Sequence, residues 1–99
     1  MASGSGDRTI KIWNTDNGNL IRTLTGHTSY VLSLAVLKNG YLASGSDDTT
    51  IRIWNSDHGN LIKTLTGHTG QVRSLAVLLD GRLASGSGHP DYKIKIWDL

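Results

Sequence analysis

No cysteine occurs anywhere in the 99 residues. Thiol nucleophiles, cysteine-ligated zinc and iron–sulfur clusters are excluded with it, and no disulfide can staple this short chain. Excess charge is scarce too. Ten Lys and Arg face eight Asp and Glu, a formal net charge of +2, too small and too scattered for the basic footprint of a nucleic-acid binder. No apolar run approaches the roughly 20 residues that a membrane-spanning helix needs, and Met1-Ala2-Ser3-Gly4-Ser5-Gly6-Asp7-Arg8 lacks the apolar core of a signal peptide. A soluble, intracellular, cytoplasmic chain with no membrane partner is the expectation. Helical periodicity is also missing, so no helix is expected.

What the chain does contain is a repeat. Laid over Ala43 to Leu83 at an offset of 41, Ala2 to Leu42 is identical at about 29 of 41 positions, and a third copy begins at Leu83-Ala84-Ser85-Gly86-Ser87 and runs to Trp97-Asp98-Leu99. Trp13, Trp54 and Trp97 anchor the units, with spacings of 41 and then 43. The two additional residues lie between Ser87 and Ile94, where Gly88-His89-Pro90-Asp91-Tyr92-Lys93 replaces Asp47-Asp48-Thr49-Thr50.

Inside a unit the apolar residues alternate with period two and are interrupted by turn residues every eight to twelve positions, the pattern of short antiparallel strands. In the central copy this predicts strands at Val31–Leu37, Leu42–Ser46, Ile51–Trp54 and Leu61–Leu65. Asn39-Gly40 and Asp80-Gly81 supply the positive backbone φ that tight hairpins need. Along Ile51-Arg52-Ile53-Trp54 the two Ile side chains share one face, and Arg52 and Trp54 share the other. Both faces are thus apolar, and each sheet requires a neighbour above and below.

A unit of this length, with Gly26-His27 or Gly67-His68 before its first strand and Trp54-Asn55 or Trp97-Asp98 closing its third, resembles the WD-repeat family of β-propellers. The resemblance covers the whole chain. It implies an all-β fold of four-stranded antiparallel blades, incomplete in one chain, divided as a partial blade at 1–25, a complete blade region at 26–66 and a partial blade at 67–99. It further implies a structural hydrogen-bond network in each blade. In the central blade the members are His27, Ser44, Asp48 and Trp54. The third blade has His68, Ser85 and Trp97, with Asp91 as the one acidic candidate, and the first has Ser3, Asp7 and Trp13 without a His.

His27, Ser44 and Asp48 also carry the residue types of a hydrolytic triad. The bland reading is preferred: the same types recur once per blade, whereas a nucleophile needs one pocket and one oxyanion hole. The four His residues share no metal-ligand spacing, Asp47-Asp48 starts no acidic metal loop, and Gly4-Ser5-Gly6 lacks the helix that a phosphate loop needs behind it. No catalytic residue, metal site or cofactor is expected. Lys11, Lys93 and Lys95 alternate with Ile on or beside third strands and are read as edge-protecting, solvated charges.

Binding is expected on turns and rims, because the strands are committed to packing. The copies differ from one another at Arg8 against Thr49, Asp47 against Gly6, Tyr30 against Gln71 and Leu32 against Arg73. Tyr30, Asp47, Gln71, Arg73 and Arg8 form the candidate protein-binding surface, since Tyr and Arg dominate interface hot spots. A second set, Lys38, Asn39 and Tyr41 against Leu79, Asp80 and Arg82, falls on the opposite rim. The expected partners are other proteins or peptides, and the expected function is a non-enzymatic interaction scaffold. Propellers close with about four to eight blades, and 99 residues supply about 2.4 units. The alternative expectations are therefore a homo-oligomer sharing a blade between chains, the remainder of a longer propeller, or a deliberate repeat. An isolated monomer is expected to associate through its apolar faces and open edges.

Overall fold

A computed structural model describes residues 2–4, 8–13, 16–38, 40–55, 58–88 and 91–98. Among the described residues ten strands are formed: β1 (Ala2–Gly4), β2 (Ile10–Trp13), β3 (Leu20–Leu24), β4 (Val31–Val36), β5 (Leu42–Ser46), β6 (Ile51–Asn55), β7 (Asn60–Leu65), β8 (Val72–Val77), β9 (Leu83–Ser87) and β10 (Ile94–Trp97). All pairings are antiparallel between sequence neighbours, giving sheets ordered β1-β2-β3, β4-β5-β6-β7 and β8-β9-β10. No helix is present among the described residues.

The sheets stack because each strand of the central sheet is apolar on both sides. Ile51 and Ile53 point one way into a cluster with Leu37, Ala43, Val72 and Leu83, against which Trp97 packs. Trp54 points the other way with Val31 and Leu42, meeting Ile10 and Leu24 of the first sheet. Full burial of one such aliphatic side chain contributes about 1.5–3 kcal/mol, so each junction is held by a handful of them. Dense packing leaves no room for a side chain at Gly45, where a Cβ would lie 2.5 Å from Val72 Cγ1 and 2.6 Å from Ser33 Oγ. Ser33 Oγ also donates to the Val72 carbonyl at 3.5 Å, tying the second sheet to the third.

The turn after each second strand repeats an unusual backbone. Arg8, Thr49 and Tyr92 have φ of 73°, 75° and 51°, the left-handed region that non-glycine residues seldom enter. Tyr92 stands 43 residues beyond Thr49, so the third turn absorbs its two additional residues upstream of Asp91 and then resumes the same geometry. Asp48 holds the central turn by accepting from Thr50 N at 3.0 Å and Thr50 Oγ1 at 2.6 Å.

Register shifts recur as well. Between Val31 and Ser33, and again between Val72 and Ser74, one residue on the inner strand has no partner opposite it. These β-bulges fall on Leu32 and Arg73. A bulge bends its strand and re-aims the odd side chain out of the alternation.

Candidate functional site

Two buried polar chains run through the second and third sheets. In the central sheet, His27 Nδ1 lies 2.9 Å from Asp48 Oδ2, His27 Nε2 lies 2.6 Å from Ser44 Oγ, and Trp54 Nε1 donates to Ser44 Oγ at 2.8 Å. In the third sheet His68 Nδ1 lies 2.7 Å from Asp91 Oδ2, His68 Nε2 lies 2.7 Å from Ser85 Oγ, and Trp97 Nε1 donates to Ser85 Oγ at 2.8 Å. An ionised carboxylate only accepts, so a neutral imidazole places its proton on Nδ1 and accepts at Nε2 from the serine hydroxyl. The donation then runs in one direction, from indole to serine to imidazole to carboxylate.

Gly26 and Gly67 make room for this chain. Each has φ of 152°, and a Cβ there would lie 3.0 Å from Trp54 Cη2 or 3.3 Å from Trp97 Cη2. The Gly-His dipeptide thus seats the indole edge with its first residue and bonds the serine with its second.

Electrostatics support the same protonation state. Burial lowers the His27 pKa from its ordinary 6.5, outweighing the opposing pull of Asp48, while Arg52 adds to the lowering. Burial pushes the Asp48 carboxyl up, but hydrogen bonds from Thr50, His27 and Thr28 together overcome it and bring the pKa down to about 2. Hydrogen bonding from His68, then from Ser87 and Thr69, holds the Asp91 carboxyl below the ordinary range.

The connectivity Ser–His–Asp is that of a hydrolytic triad, yet Ser44 is 0% exposed and its oxygen already accepts the Trp54 indole proton. A substrate carbonyl cannot reach it. The chemistry available to the chain is mutual satisfaction of four buried polar groups, which rigidifies the turn. Among the described residues, no three His, Asp or Glu side chains are grouped so as to hold a metal ion.

The first network is described only in part. Ser3 lies on β1 opposite Lys11, its side chain and Asp7 fall outside the described residues, and Trp13 is half-buried on β2.

The candidate surface residues divide between sheets. Tyr30 is exposed, and its carbonyl accepts from Ser46 Oγ at 2.7 Å and Asp47 N at 2.9 Å, which sets it beside the β5–β6 turn. Asp47 is half-buried and accepts from Ser29 Oγ at 3.2 Å. In the third sheet Gln71 and Arg73 lie against Gly88, where a Cβ would meet Arg73 Nε at 2.5 Å and Gln71 Oε1 at 3.5 Å. Arg8, exposed, occupies the corresponding turn of the first sheet. Antiparallel order puts all of these at the same end of their strands.

Sequence reasoning omitted two contributors from that surface. Leu32, exposed and at the bulge, is the counterpart of Arg73, and Gly88 is the bare floor under the Arg73 side chain. Leu32 was visible as a difference between copies; its orientation depends on the bulge, which alternation alone does not reveal. On the opposite rim Lys38 Nζ donates to the Leu79 carbonyl, Tyr41 packs on the core between the second and third sheets, and Asp80 pairs with Arg82 at 2.7 Å. The Leu79 side chain on that rim is 96% exposed, whereas those of Lys38, Tyr41, Asp80 and Arg82 make contacts within the chain. Asn39 lies outside the described residues.

The family model described as "WD domain, G-beta repeat" matches residues 1–14, 18–55 and 59–98. The chain belongs to the WD40 repeat family. A solved structure, the WD40 β-propeller domain of Doa1, superposes with a TM-score of 0.90 at 31% identity over 98% of this chain and 32% of that one. Among curated relatives, nuclear distribution protein PAC1 of Coprinopsis cinerea is 45% identical over 40% of this chain and 9% of its own length. The small ribosomal subunit protein RACK1y of Oryza sativa subsp. japonica is 45% identical over 42% of this chain and 12% of its own. The WD40 chain thus spans about a third of the solved propeller, and its matched segments correspond to about a tenth of the curated relatives. WD40 membership implies a protein-interaction scaffold of a generally non-enzymatic kind. None of the helices a membrane crossing would need, long and apolar, occurs among the described residues.

Proposed function

We propose that this chain is a non-enzymatic scaffold that binds a protein or peptide through the rim at the β5–β6 end of its sheets. The observation that carries the reading is the paired bulge. In two successive sheets it turns one inner-strand side chain, Leu32 or Arg73, out beside Tyr30 or Gln71, while the neighbouring Val31 and Val72 are spent on stacking. Tyr30, Leu32 and Asp47 form one half of the surface, Gln71 and Arg73 the other, and Arg8 extends it to the first sheet. A tyrosine and an arginine supply anchors of the kind that carry most interface energy, and the half-buried Asp47 adds a fixed negative charge.

The His27–Ser44–Asp48–Trp54 and His68–Ser85–Asp91–Trp97 chains are structural in this reading. They brace the turns from which the rim projects and take no part in turnover. The net charge of +2 supports a protein partner over nucleic acid or membrane. An intracellular, cytoplasmic setting accords with relatives named for nuclear distribution and the small ribosomal subunit.

Comparative affinity capture tests the assignment, with the Tyr30→Ala/Arg73→Ala pair set beside Arg82→Ala on the opposite rim. Loss of specific partners by the pair and their retention by Arg82→Ala is the expected result. Retention of every partner by the pair would remove this surface from consideration.

A further inference from the structure

Asparagine is followed by glycine at Asn17-Gly18 and at Asn39-Gly40. In such a pair no Cβ on the second residue shields its backbone nitrogen, which can therefore approach the side-chain carbonyl beside it. Asn17 and Gly18 are both exposed in the turn between β2 and β3, and Gly18 has a φ of 74°. The Asn17 side chain is not free to swing in solvent. Its Oδ1 accepts from Asn19 N at 2.9 Å, an Asx turn that folds the side chain back around the Gly18 peptide. The carbonyl carbon Cγ is thereby held towards the chain, and the donor on its oxygen is already in place for negative charge to collect there.

Two other turns of the chain provide comparisons. In the β6–β7 turn, His58-Gly59-Asn60 stands where the β2–β3 turn has Asn17-Gly18-Asn19. Gly59 has a φ of 80°, close to that of Gly18, so this turn also accepts a histidine, which has no carbonyl to attack. Between β8 and β9, Asp80-Gly81 makes the same Asx turn, with Asp80 Oδ1 accepting from Arg82 N at 3.1 Å. Its carboxyl is further paired with Arg82 Nε at 2.7 Å, and the Arg82 hydrogen bonds, the backbone one foremost, hold it below the ordinary range and ionised. A carboxylate anion repels an incoming electron pair. Of these three turns, the β2–β3 turn is the one that presents a neutral amide to a glycine nitrogen.

We propose that Asn17 is a site of spontaneous covalent modification that makes the β2–β3 turn acidic. Gly18 N gives up its proton to base and its electron pair forms a bond to Asn17 Cγ, while the Asn19 N–H stabilises the charge on Oδ1. The Cγ–Nδ2 bond then breaks, ammonia leaves with a proton taken from solvent, and a cyclic succinimide remains. Water opens that ring at either carbonyl. Opening at the side-chain carbonyl yields Asp, and opening at the main-chain carbonyl yields isoaspartate, whose backbone is lengthened by a methylene. Each product replaces a neutral amide with a carboxylate and lowers the formal net charge of +2 by one unit. The longer backbone falls beside the register shift between Ile12 and Trp13, where β2 pairs with β3. This turn lies at the end of the first sheet opposite Arg8, so the inference is independent of the binding rim.

Site-resolved peptide mass spectrometry of the full chain, aged at neutral and at alkaline pH, tests the assignment. Asn19 and Asn60, exposed like Asn17 but each followed by Leu, are internal standards. Conversion at Asn17 is expected to run about tenfold or more faster than at either of them and to speed up with pH. Its product is expected to accept a methyl group from S-adenosylmethionine in the presence of an isoaspartate methyltransferase. Asn17→His carries the residue that the β6–β7 turn already holds on this backbone, so it is expected to fold, as circular dichroism would show, and to form less of the acidic species on isoelectric focusing. Conversion at Asn17 no faster than at Asn19 and Asn60, or an acidic species undiminished in Asn17→His, would overturn the proposal.

Discussion

The second and third sheets carry the same four-residue polar chain in two settings. His27–Ser44–Asp48–Trp54 and His68–Ser85–Asp91–Trp97 agree within a few tenths of an ångström in every hydrogen bond, and their rings stand 6.2 Å apart in both. Burial separates them. Trp54 is 2% exposed between two neighbouring sheets, whereas Trp97 is half-buried at the edge of its own. Hydrogen-bond geometry is thus a property of the repeat's own residues, and protection from water is a property of what surrounds it, here the outer strand β7 that flanks β6.

The largest effect that can test this contrast is truncation of the two tryptophans. Trp54→Ala removes the centre of a closed apolar cluster and is expected to cost about 3–5 kcal/mol in denaturant unfolding. Trp97→Ala is expected to cost clearly less, because part of its surface is already wet. Equal costs would break the contrast.

The serines are expected to behave alike, since Ser44 and Ser85 are both buried. Ser44→Ala or Ser85→Ala leaves an indole N–H and an imidazole nitrogen without a partner, at about 1–3 kcal/mol in the same assay. A much smaller loss at Ser85 would mean that water replaces the hydroxyl in the third sheet.

The glycines sharpen the comparison at the sheet faces. A Cβ at Gly45 collides with both Val72 and Ser33, but at Gly86 it meets only Ser74 Oγ, at 2.7 Å. Gly45→Ala therefore pushes β8 away from the central sheet and is expected to cost about 1–3 kcal/mol. Gly86→Ala needs only a rotation of Ser74 and is expected to cost less, as thermal melts of the two variants would show.

Acid acts through the same network. Between its ordinary pKa of 3.8 and the folded value of about 2, Asp48 is protonated in the unfolded chain and ionised in the folded one. The unfolded chain binds more protons there, so stability falls as pH drops through that window. His27, with its folded pKa lowered from 6.5, adds a loss of the same sign that begins below that pH. An Asp48→Asn chain followed by circular dichroism is expected to lose the steeper acid limb.

The smallest effect concerns the left-handed turn residues. Glycine enters that region freely, so Thr49→Gly is expected to recover part of the roughly 1–2 kcal/mol penalty paid there. A melt of Thr49→Gly beside wild type measures it, and the β-branched Thr49 is expected to gain more than Tyr92.

Much of this architecture is legible in the residues because the repeat is read three times. The predicted strands Val31–Leu37 and Leu61–Leu65 differ by one residue from β4 and β7, and Leu42–Ser46 coincides with β5. Alternation also placed Ile51 and Trp54 on opposite faces, as the two clusters show. The bulges at Leu32 and Arg73 were not legible, because a bulge is a slip between two strands and leaves no mark on the alternation of one. The bond from Lys38 to the Leu79 carbonyl, 41 residues away, depends on how two sheets stack. Asp91 was recoverable as an acidic candidate, but its distance from Ser85 had changed. Only the turn geometry, with Tyr92 at the position of Thr49, shows why it still reaches His68.

Hydrogen exchange of the two indole N–H groups tests the central claim most directly. With the same donor–acceptor distance at Trp54 and Trp97, bond geometry alone predicts equal protection. Neighbour-controlled burial predicts that the Trp54 proton exchanges far more slowly than that of Trp97. Equal rates, or a slower Trp97, would contradict the account.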